Sequence, residues 1–359
     1  MEVGPVTQPR GSVRHEDYDS GYRSGKERVQ IHGVDERGKA VLRKQLKRSE
    51  VVGFFANLPR SLIGMEACGS AHHWARKLIE LGHEVKLMAP QFVKPYVKTN
   101  KNDRNDAEAI CEAVGRPNMR FVPVKSPEQQ ALLALHRARA GMMKARNAQA
   151  NQIRGLLGEF GLVLPQGIGQ LRRRGPELLE DGDNGLPGLM RALLSRLLAQ
   201  LAQLDQQVVA LEREIVLWHR HNDDSRRVER IAGIGPLTAS AYVASVGHAK
   251  GFKNGRQVAA WLGIVPRQDS TGGKPKLLGI SKHGDVYLRT LLIHGARAVL
   301  RHLEHRPDQA DSWLKRLMIR RGKNVAAVAL ANKNARIAWA LLAHQRDFDP
   351  HYASSAPSR

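Results

Sequence analysis

Three acidic side chains have the types and positions of metal ligands. Glu66 ends an apolar run, residues 62–65, that predicts a strand, whereas Asp103 and Asp106 stand where a helix is predicted to begin. Residues three apart share one helix face, so these two aspartates can approach one cation. Mg²⁺ prefers such oxygen ligands, and paired ions promote phosphodiester displacement. Spacing alone favours a plainer interpretation, in which Asp103 caps the helix and Asp106 favours its first turn.

A glycine-rich segment, residues 266–289, combines hydroxyl groups with cations. Its hydroxyl candidates are Ser270, Thr271 and Ser281. Its cations are Arg267, Lys274, Lys276, Lys282 and Arg289. A serine that attacks a phosphodiester needs positive charge nearby to stabilise the charge that develops. A solvated loop that only holds phosphate is the simpler alternative, and the segment by itself does not choose among the three hydroxyls.

Residues 231–239 place Gly233 and Gly235 directly before a predicted helix. Backbone amides exposed at such a helix start bind phosphate oxygens, and the segment is similar to the hairpin of helix-hairpin-helix units. Such a contact goes to the nucleic-acid backbone and reads no base sequence. A tight turn between packed helices is an equal alternative, because short glycine motifs recur by chance.

The first elements that must position these residues predict an α/β sheet. Strands are expected at 29–34, 40–46, 61–65 and 84–88, and helices at 49–57 and 71–81. This alternation is typical of an α/β domain, which we assign to residues 29–160 and which ends in a basic helix from Pro127 to Phe160. Residues 1–28 are polar and glycine-rich, and we expect them to form a disordered tail.

The rest of the chain predicts helices. Residues 161–224 are expected to form a linker and a coiled-coil helix, residues 225–345 a mostly α-helical domain, and 346–359 a frayed tail. The coiled-coil pattern alternates steps of three and four residues through Leu194, Leu197, Leu201, Leu204, Val208, Leu211, Ile215 and Trp218. It predicts a homo-oligomer, although a buried hairpin helix within one subunit gives the same pattern.

The charge of the chain indicates its partner. The net charge is +23 and the pI is about 10.5, so the surface attracts polyanions, and nucleic acid is favoured. No apolar stretch near the ~20 residues of a membrane span and no signal peptide is present, so we expect no membrane contact. The two cysteines, Cys68 and Cys111, are too few for a disulfide framework or a zinc cluster, which fits a reducing cytoplasm.

Three motifs in order resemble the insertion-sequence one-ten family of transposases, especially its eleven-eleven branch. They are Gly-Met-Glu-Ala-Cys-Gly-Ser at 64–70, Lys-Asn-Asp-Arg-Asn-Asp-Ala-Glu-Ala at 101–109, and Ser-Thr-Gly-Gly at 270–273 with Gly-Ile-Ser-Lys-His-Gly-Asp at 279–285. Each motif is weak alone, but together they are highly specific. The resemblance covers nearly all of residues 30–348.

The resemblance implies a fold and a mechanism. The fold is a RuvC-like, ribonuclease-H-type N-terminal domain with an Asp-Glu-Asp-Asp metal site, a coiled-coil insertion, and a C-terminal transposase domain. Glu66, Asp103 and Asp106 correspond to the second, third and fourth acids, which hold Mg²⁺, and Ser270 to the nucleophile, with Thr271 in reserve. Family members act as DNA recombinases guided by a bridge RNA, so DNA and a guide RNA are the expected partners.

The first acid of the family pattern is missing from its expected place. Counting back from His32 puts Arg23 where the family has the aspartate of Gly-Ile-Asp-Leu-Ala-Lys, and an arginine does not bind Mg²⁺. Residues 21–29 can be encoded by a nucleotide string that reads Gly-Ile-Asp-Leu-Ala-Lys-Ser-Val-Phe when it is shifted by one base. We therefore hypothesise a frameshifted tail and loss of the first strand, with no spacing that supports Asp17 or Asp19 as a substitute. A catalytically dead nucleic-acid-binding remnant and a RuvC-like metal-dependent nuclease are the alternatives.

Overall fold

The computed structural model describes residues 10–15, 28–98, 102–305 and 313–349, with side chains from residue 28 onwards. The chain divides into two compact units, Met1–Ser126 and Pro127–Arg359. The first compact unit ends at Ser126, and the long basic helix that follows packs within the second unit.

A six-stranded sheet forms the first unit, in the order β3-β2-β1-β4-β5-β6. Its strands are β1 Arg10–His15, β2 Arg28–Val34, β3 Ala40–Lys47, β4 Leu62–Glu66, β5 Glu84–Met88 and β6 Phe121–Val122. β1 pairs antiparallel with β2 and parallel with β4. β4 is parallel to β5, whereas β6 is antiparallel to it. The strands expected at 29–34, 40–46, 61–65 and 84–88 are thus confirmed to within two residues.

Four helices cover this sheet: α1 Val51–Ala56, α2 Ala71–Glu80, α3 Pro90–Val93 and α4 Asp103–Val114. Neighbouring residues on a strand point to opposite faces of the sheet. Accordingly, Leu87 packs in one core cluster with Trp74 and Leu78 of α2, whereas Met88 packs in another with Ile110 of α4. The sheet therefore has a hydrophobic layer on each face, as the apolar strand sequences require.

The centre of the sheet differs from the sequence expectation. We expected a disordered tail over 1–28 and no first strand, but Arg10–His15 lies as β1 between β2 and β4. A strand in this place pairs with the backbone groups of both neighbours, which a buried sheet centre requires. Arg23, Asp17 and Asp19 lie outside the described residues.

Over its described residues, 127–305 and 313–349, the second unit is helical apart from one short hairpin. Its helices are α5 Pro127–Gly158, α6 Ile168–Glu180, α7 Gly188–Arg220, α8 Asp223–Glu229, α9 Pro236–Val246, α10 Gly255–Trp261, α11 Val286–Glu304, α12 Trp313–Arg321 and α13 Lys323–His344. The hairpin is β7 Pro266–Gln268 and β8 Leu277–Ile280, two antiparallel strands. Nowhere in the described ranges does a helix combine the length and apolar character needed to cross a membrane.

The heptad pattern of α7 is used inside the chain. Leu194 and Leu201 are buried in a cluster with Ile153 and Leu157 of α5, and Ile215 packs with Leu132. Ion pairs continue the same antiparallel register. The coiled-coil seam is therefore that of a hairpin between α5 and α7, which is the second of the two interpretations open from the sequence.

Candidate active sites

The acidic residues lie on two elements that pack together. Gly64 of β4 allows α4 to lie directly against the strand, since a Cβ at this position would come within 2.8 Å of the Cβ of Val114. Glu66 ends the strand and is buried, with 7% exposure. Asp106, in the first turn of α4, is 5% exposed, and Asp103 is half-buried. A buried carboxylate is costly unless a counter-charge or hydrogen bonds stabilise it, so Glu66 and Asp106 require such partners more than surface acids do.

The cap of α4 is not the residue that the plainer interpretation named. Asn102 is the N-cap, and its side-chain oxygen accepts a hydrogen bond from the Asn105 amide at 2.8 Å. Asp103 is therefore the first helical residue and does not act as the cap. The electrostatics of α4 extend to β2, where burial lowers the pKa of His32 and the Glu108 carboxylate opposes that shift.

The three acids are not yet gathered around one ion. Within the described ranges, no three His, Cys, Asp or Glu side chains form a group that could hold a metal, and that includes Glu66, Asp103 and Asp106. The donor chemistry fits Mg²⁺, but that ion requires oxygens at about 2.0–2.1 Å. That Glu66, Asp103 and Asp106 share one ion therefore stays a prediction.

The hydroxyl-bearing segment forms the β7–β8 hairpin, whose turn is set by two glycines. Gly272 and Gly273 have φ of 56° and 74°, which suits the central residues of a tight hairpin turn. The Lys274 amide donates to the Thr271 carbonyl at 3.1 Å and closes the turn. Ser270 lies one residue before this turn and is exposed, whereas Ser281 is at the base of the hairpin, where its amide donates to the Val265 carbonyl at 2.8 Å.

Two N–H groups hold the oxygen of Ser270. The backbone amide of Lys276 donates to Oγ at 3.0 Å, and the side-chain amide of Gln268 donates to it at 2.9 Å. Both lone pairs of the neutral hydroxyl are thus engaged, and its O–H remains as a donor. Hydrogen bonds donated to an oxygen favour its ionised form, so this geometry suits a serine that loses its proton.

The base of the hairpin is fixed by two close backbone crossings. An added Cβ at Gly263 would lie 2.0 Å from the His283 carbonyl oxygen, and one at Gly284 would lie 1.9 Å from the Trp261 oxygen. Both glycines also have positive φ, of 69° and 89°. Only glycine fits these positions, so the end of α10 and the start of α11 hold the hairpin between them.

Arg289 has a different place from the one expected. It is 8% exposed, and its guanidinium donates to the carbonyl oxygens of Leu262 at 3.0 Å and His283 at 3.2 Å. The side chain binds the base of the hairpin, so a contact of Arg289 with nucleic acid stays a prediction that its burial does not favour. Four other predicted cations are exposed on or beside the hairpin: Arg267, Lys274, Lys276 and Lys282.

The two glycines before α9 have different surroundings. Gly233, with φ of 86°, packs against α11, where an added Cβ would meet the Gly295 carbonyl at 2.9 Å. This agrees with the interpretation of a tight turn between packed helices. Gly235 is exposed and is the N-cap of α9, with open space around it, so it is the one of the two that a phosphate can approach.

Comparisons with known proteins agree over both units. Residues 24–161 match a family described as a DEDD transposase of the IS110 type, and residues 225–316 match the description "Transposase IS116/IS110/IS902 family". A probable family 20 transposase of Pseudomonas aeruginosa is 53% identical over 326 residues, which cover 90% of this chain and 96% of that protein. The chain belongs to the IS110/IS116/IS902 family of transposases.

Other transposases have similar coverage. The transposase for insertion sequence element IS1111A of Coxiella burnetii is 47% identical over 323 residues, covering 90% of this chain and 89% of its own. The transposase for insertion sequence element IS1328 of Yersinia enterocolitica is 42% identical over 317 residues, covering 88% and 93%. The resemblance found from the three motifs is therefore confirmed.

The two family matches cover separate parts of the transposase, and each part contains one set of candidate residues. The first match contains the three acids and begins at residue 24, one residue after Arg23, and the second contains Ser270. The first of these domains has a metal-dependent, nuclease-like fold of the ribonuclease-H superfamily. The sequence analysis did not name Gln268, which contacts Ser270. Side chains two residues apart on a strand lie on the same face, and this alternation could have indicated the contact.

Proposed function

We propose that this transposase cuts and rejoins DNA through Ser270. The observation that carries the proposal is the pair of N–H groups on Ser270 Oγ at the tip of an exposed, cation-bearing hairpin. When the hydroxyl loses its proton, the oxygen gains a third lone pair, so one is free to attack phosphorus while the other two accept hydrogen bonds. Thr271 is different, because its hydrogen bond with Lys274 is made by its backbone carbonyl and not by its hydroxyl.

The reaction is a transesterification that needs no external energy source. Ser270 Oγ forms a bond to phosphorus, the bond from phosphorus to one DNA oxygen breaks, and the serine proton ends on that leaving oxygen. The cations Arg267 and Lys274 stabilise the negative charge on the phosphate oxygens during the step, whereas the Lys276 side chain adds positive charge for DNA binding. A strand hydroxyl then reverses the exchange on a new partner, which restores the serine.

The acids are proposed to serve the same reaction in the first unit. Glu66, Asp103 and Asp106 supply the donors for a divalent ion, with Mg²⁺ as the ion that best suits oxygen ligands. A bound ion would stabilise negative charge at the cleaved strand. Because these acids do not form a ready group, and because the family match starts after Arg23, we propose that this copy is impaired.

Three further properties follow from the resemblance and are part of the proposal. The net charge of +23 suits a guide RNA as well as DNA, which co-purified RNA would reveal. Self-association would use faces of α7 other than the seam buried against α5, and sedimentation measures it. The place of action is the cytoplasm, where bacterial DNA is accessible.

The test is a covalent-adduct assay with the full chain and DNA that carries element ends. Denaturing gels should show a protein–DNA adduct with the wild type and with Ser281→Ala, and none with Ser270→Ala, a loss of at least about a thousandfold. Cleavage that survives Ser270→Ala but stops with Glu66→Gln would instead identify a metal-dependent nuclease. If neither the wild type nor any variant gives cleavage or an adduct, and DNA binding is retained, the protein is a binding remnant.

A further inference from the structure

The last two described helices have an unusual charge composition. From Trp313 to Arg346 the sequence contains no aspartate and no glutamate. The cations of α12 and α13 are Lys315, Arg316, Arg320, Arg321, Lys323, Lys333 and Arg336. The α5–α7 hairpin is different in composition, since it carries carboxylates as well as arginines, as in the Arg139–Glu212 pair. A surface of one sign repels itself, so it indicates an external polyanion.

One face of α12 joins this charge to exposed apolar groups. Arg316 is three residues from Trp313 and from Ile319 and four residues from Arg320, so these four side chains share one helix face. All four are exposed. Ile319 is 82% exposed and Trp313 is 45% exposed. Arg316 and Arg320 are four residues apart, a spacing of like charges that destabilises a helix by itself. We call these four residues, together with the exposed Arg321 that follows them, the α12 surface.

The neighbouring elements add cations around the α12 surface. Lys333 of α13 stands over the Trp313 ring, with its Nζ 5.2 Å from the ring centroid. Arg297 of α11 reaches Asn324 at 3.4 Å, three residues beyond Arg321. Lys323 is paired with Glu304 at 2.8 Å, so some positive charge is neutralised there, but α12 itself contributes only cations.

The chemistry of the α12 surface fits an unpaired strand better than a duplex. Arginine also binds guanine edges in the groove of a duplex, so the guanidinium groups do not decide between the two partners. The exposed indole of Trp313 and the exposed side chain of Ile319 do, because flat and apolar side chains contact base faces in proteins that bind single strands. Base faces are open only where strands have separated, as they must when DNA strands are exchanged.

We propose that the α12 surface binds a single-stranded segment of DNA, with guanidinium groups on the phosphates and Trp313 against a base. This contact is independent of the Ser270 chemistry, and two of its arginines, Arg320 and Arg321, lie beyond the family match that ends at residue 316. It would hold an opened strand of the DNA on which the transposase acts.

The experiment measures binding of a labelled oligothymidylate to the full chain at several salt concentrations. Replacing Arg320 and Arg321 with Gln should reduce the magnitude of the log–log salt slope by about 1.4, because each phosphate contact on a single strand contributes about 0.7. The control replaces Arg173 and Arg174, two exposed arginines of α6, with Gln and changes the net charge equally. The control should leave the salt slope unchanged.

A second variant tests the stacking contact separately from charge. Trp313→Leu should weaken oligothymidylate binding about tenfold with an unchanged salt slope, and should not weaken binding of a duplex. Circular dichroism of each variant reports whether the helices are intact. Equal slope changes in the α12 and α6 variants would overturn the proposal, as would unchanged oligothymidylate binding by Trp313→Leu, or losses confined to duplex DNA or to oligouridylate.

Discussion

The serine hairpin and the acid site require different amounts of the chain to come together. The groups that hold Ser270 Oγ are at most six residues away from it, at Gln268 and Lys276. The acid site needs a strand end at Glu66 and a helix start at Asp103 and Asp106, on elements that are distant in the sequence. A site built from one local hairpin keeps its geometry when distant parts of a chain change, whereas a site assembled across a sheet does not.

The largest expected effect tests how firmly the hairpin is held. Gly284→Ala places a Cβ 1.9 Å from the Trp261 oxygen at a φ of 89°, so it should destabilise the second unit by at least about 4 kcal/mol. Gly279→Ala, in the same hairpin with open space around it, is the matched control and should cost less than about 1 kcal/mol. Scanning calorimetry measures both, and similar values for the two variants would contradict the close crossing.

A buried histidine gives the second unit a pH dependence. His136 is 1% exposed; its Nδ1 lies 3.0 Å from the Tyr287 hydroxyl and its Nε2 lies 3.1 Å from Ser240 Oγ. Burial, assisted by the Arg139 guanidinium, lowers the pKa of His136 from 6.5 to about 4. As the pH falls, His136 takes up its proton at a higher pH in the unfolded chain than in the folded one. The contribution of neutral His136 to the free energy of unfolding is therefore complete above pH 6.5, and about 3 kcal/mol of it is lost as the pH falls through 4.

Denaturant unfolding between pH 7 and pH 4 measures this loss. His136→Gln keeps hydrogen-bonding capacity but cannot titrate, so its stability should depend less on pH over the same range. If wild type and variant lose equal stability, other groups cause the pH dependence and the His136 assignment is wrong.

The contact of Gln268 with the nucleophile should affect rate more than binding. Gln268→Ala removes one of the two N–H groups on Ser270 Oγ and should slow single-turnover adduct formation about tenfold, with DNA affinity nearly unchanged. Lys276→Ala is the contrasting variant, because it keeps the backbone N–H and removes only charge. It should weaken DNA binding while the rate at saturating DNA is preserved; the opposite assignment of effects would contradict the role of Gln268.

The smallest effect concerns the acid site. If Glu66 helps to bind Mg²⁺, the metal at five times its dissociation constant should stabilise the first unit by about 1 kcal/mol, and Glu66→Gln should abolish that gain. Thermal unfolding with and without metal measures it, and Glu84→Gln, at the opposite end of a neighbouring strand, is the control. If added metal stabilises Glu66→Gln as much as the wild type, Glu66 does not bind the metal. The acid site would then be less complete than the serine hairpin.

Much of the local structure could be predicted from the sequence. The strand over 84–88 and the helix beginning at Ala71 follow from short apolar periods, and Gly272 and Gly273 predict a turn beside Ser270. Family membership also follows from motifs that are contiguous in sequence. These features depend on neighbouring residues, whose relation is fixed by the geometry of a few backbone dihedrals.

The tertiary structure decided what each side chain faces. The same sequence pattern of α7 suits a second copy or α5, and packing within the chain selected α5. Arg289 looks like its exposed neighbours in the sequence, yet the fold buries it under two carbonyl groups. The packing of Gly233 against α11 and the place of β1 in the sheet are of the same kind. Long-range contacts depend on the summed packing of many residues, so no local pattern specifies them.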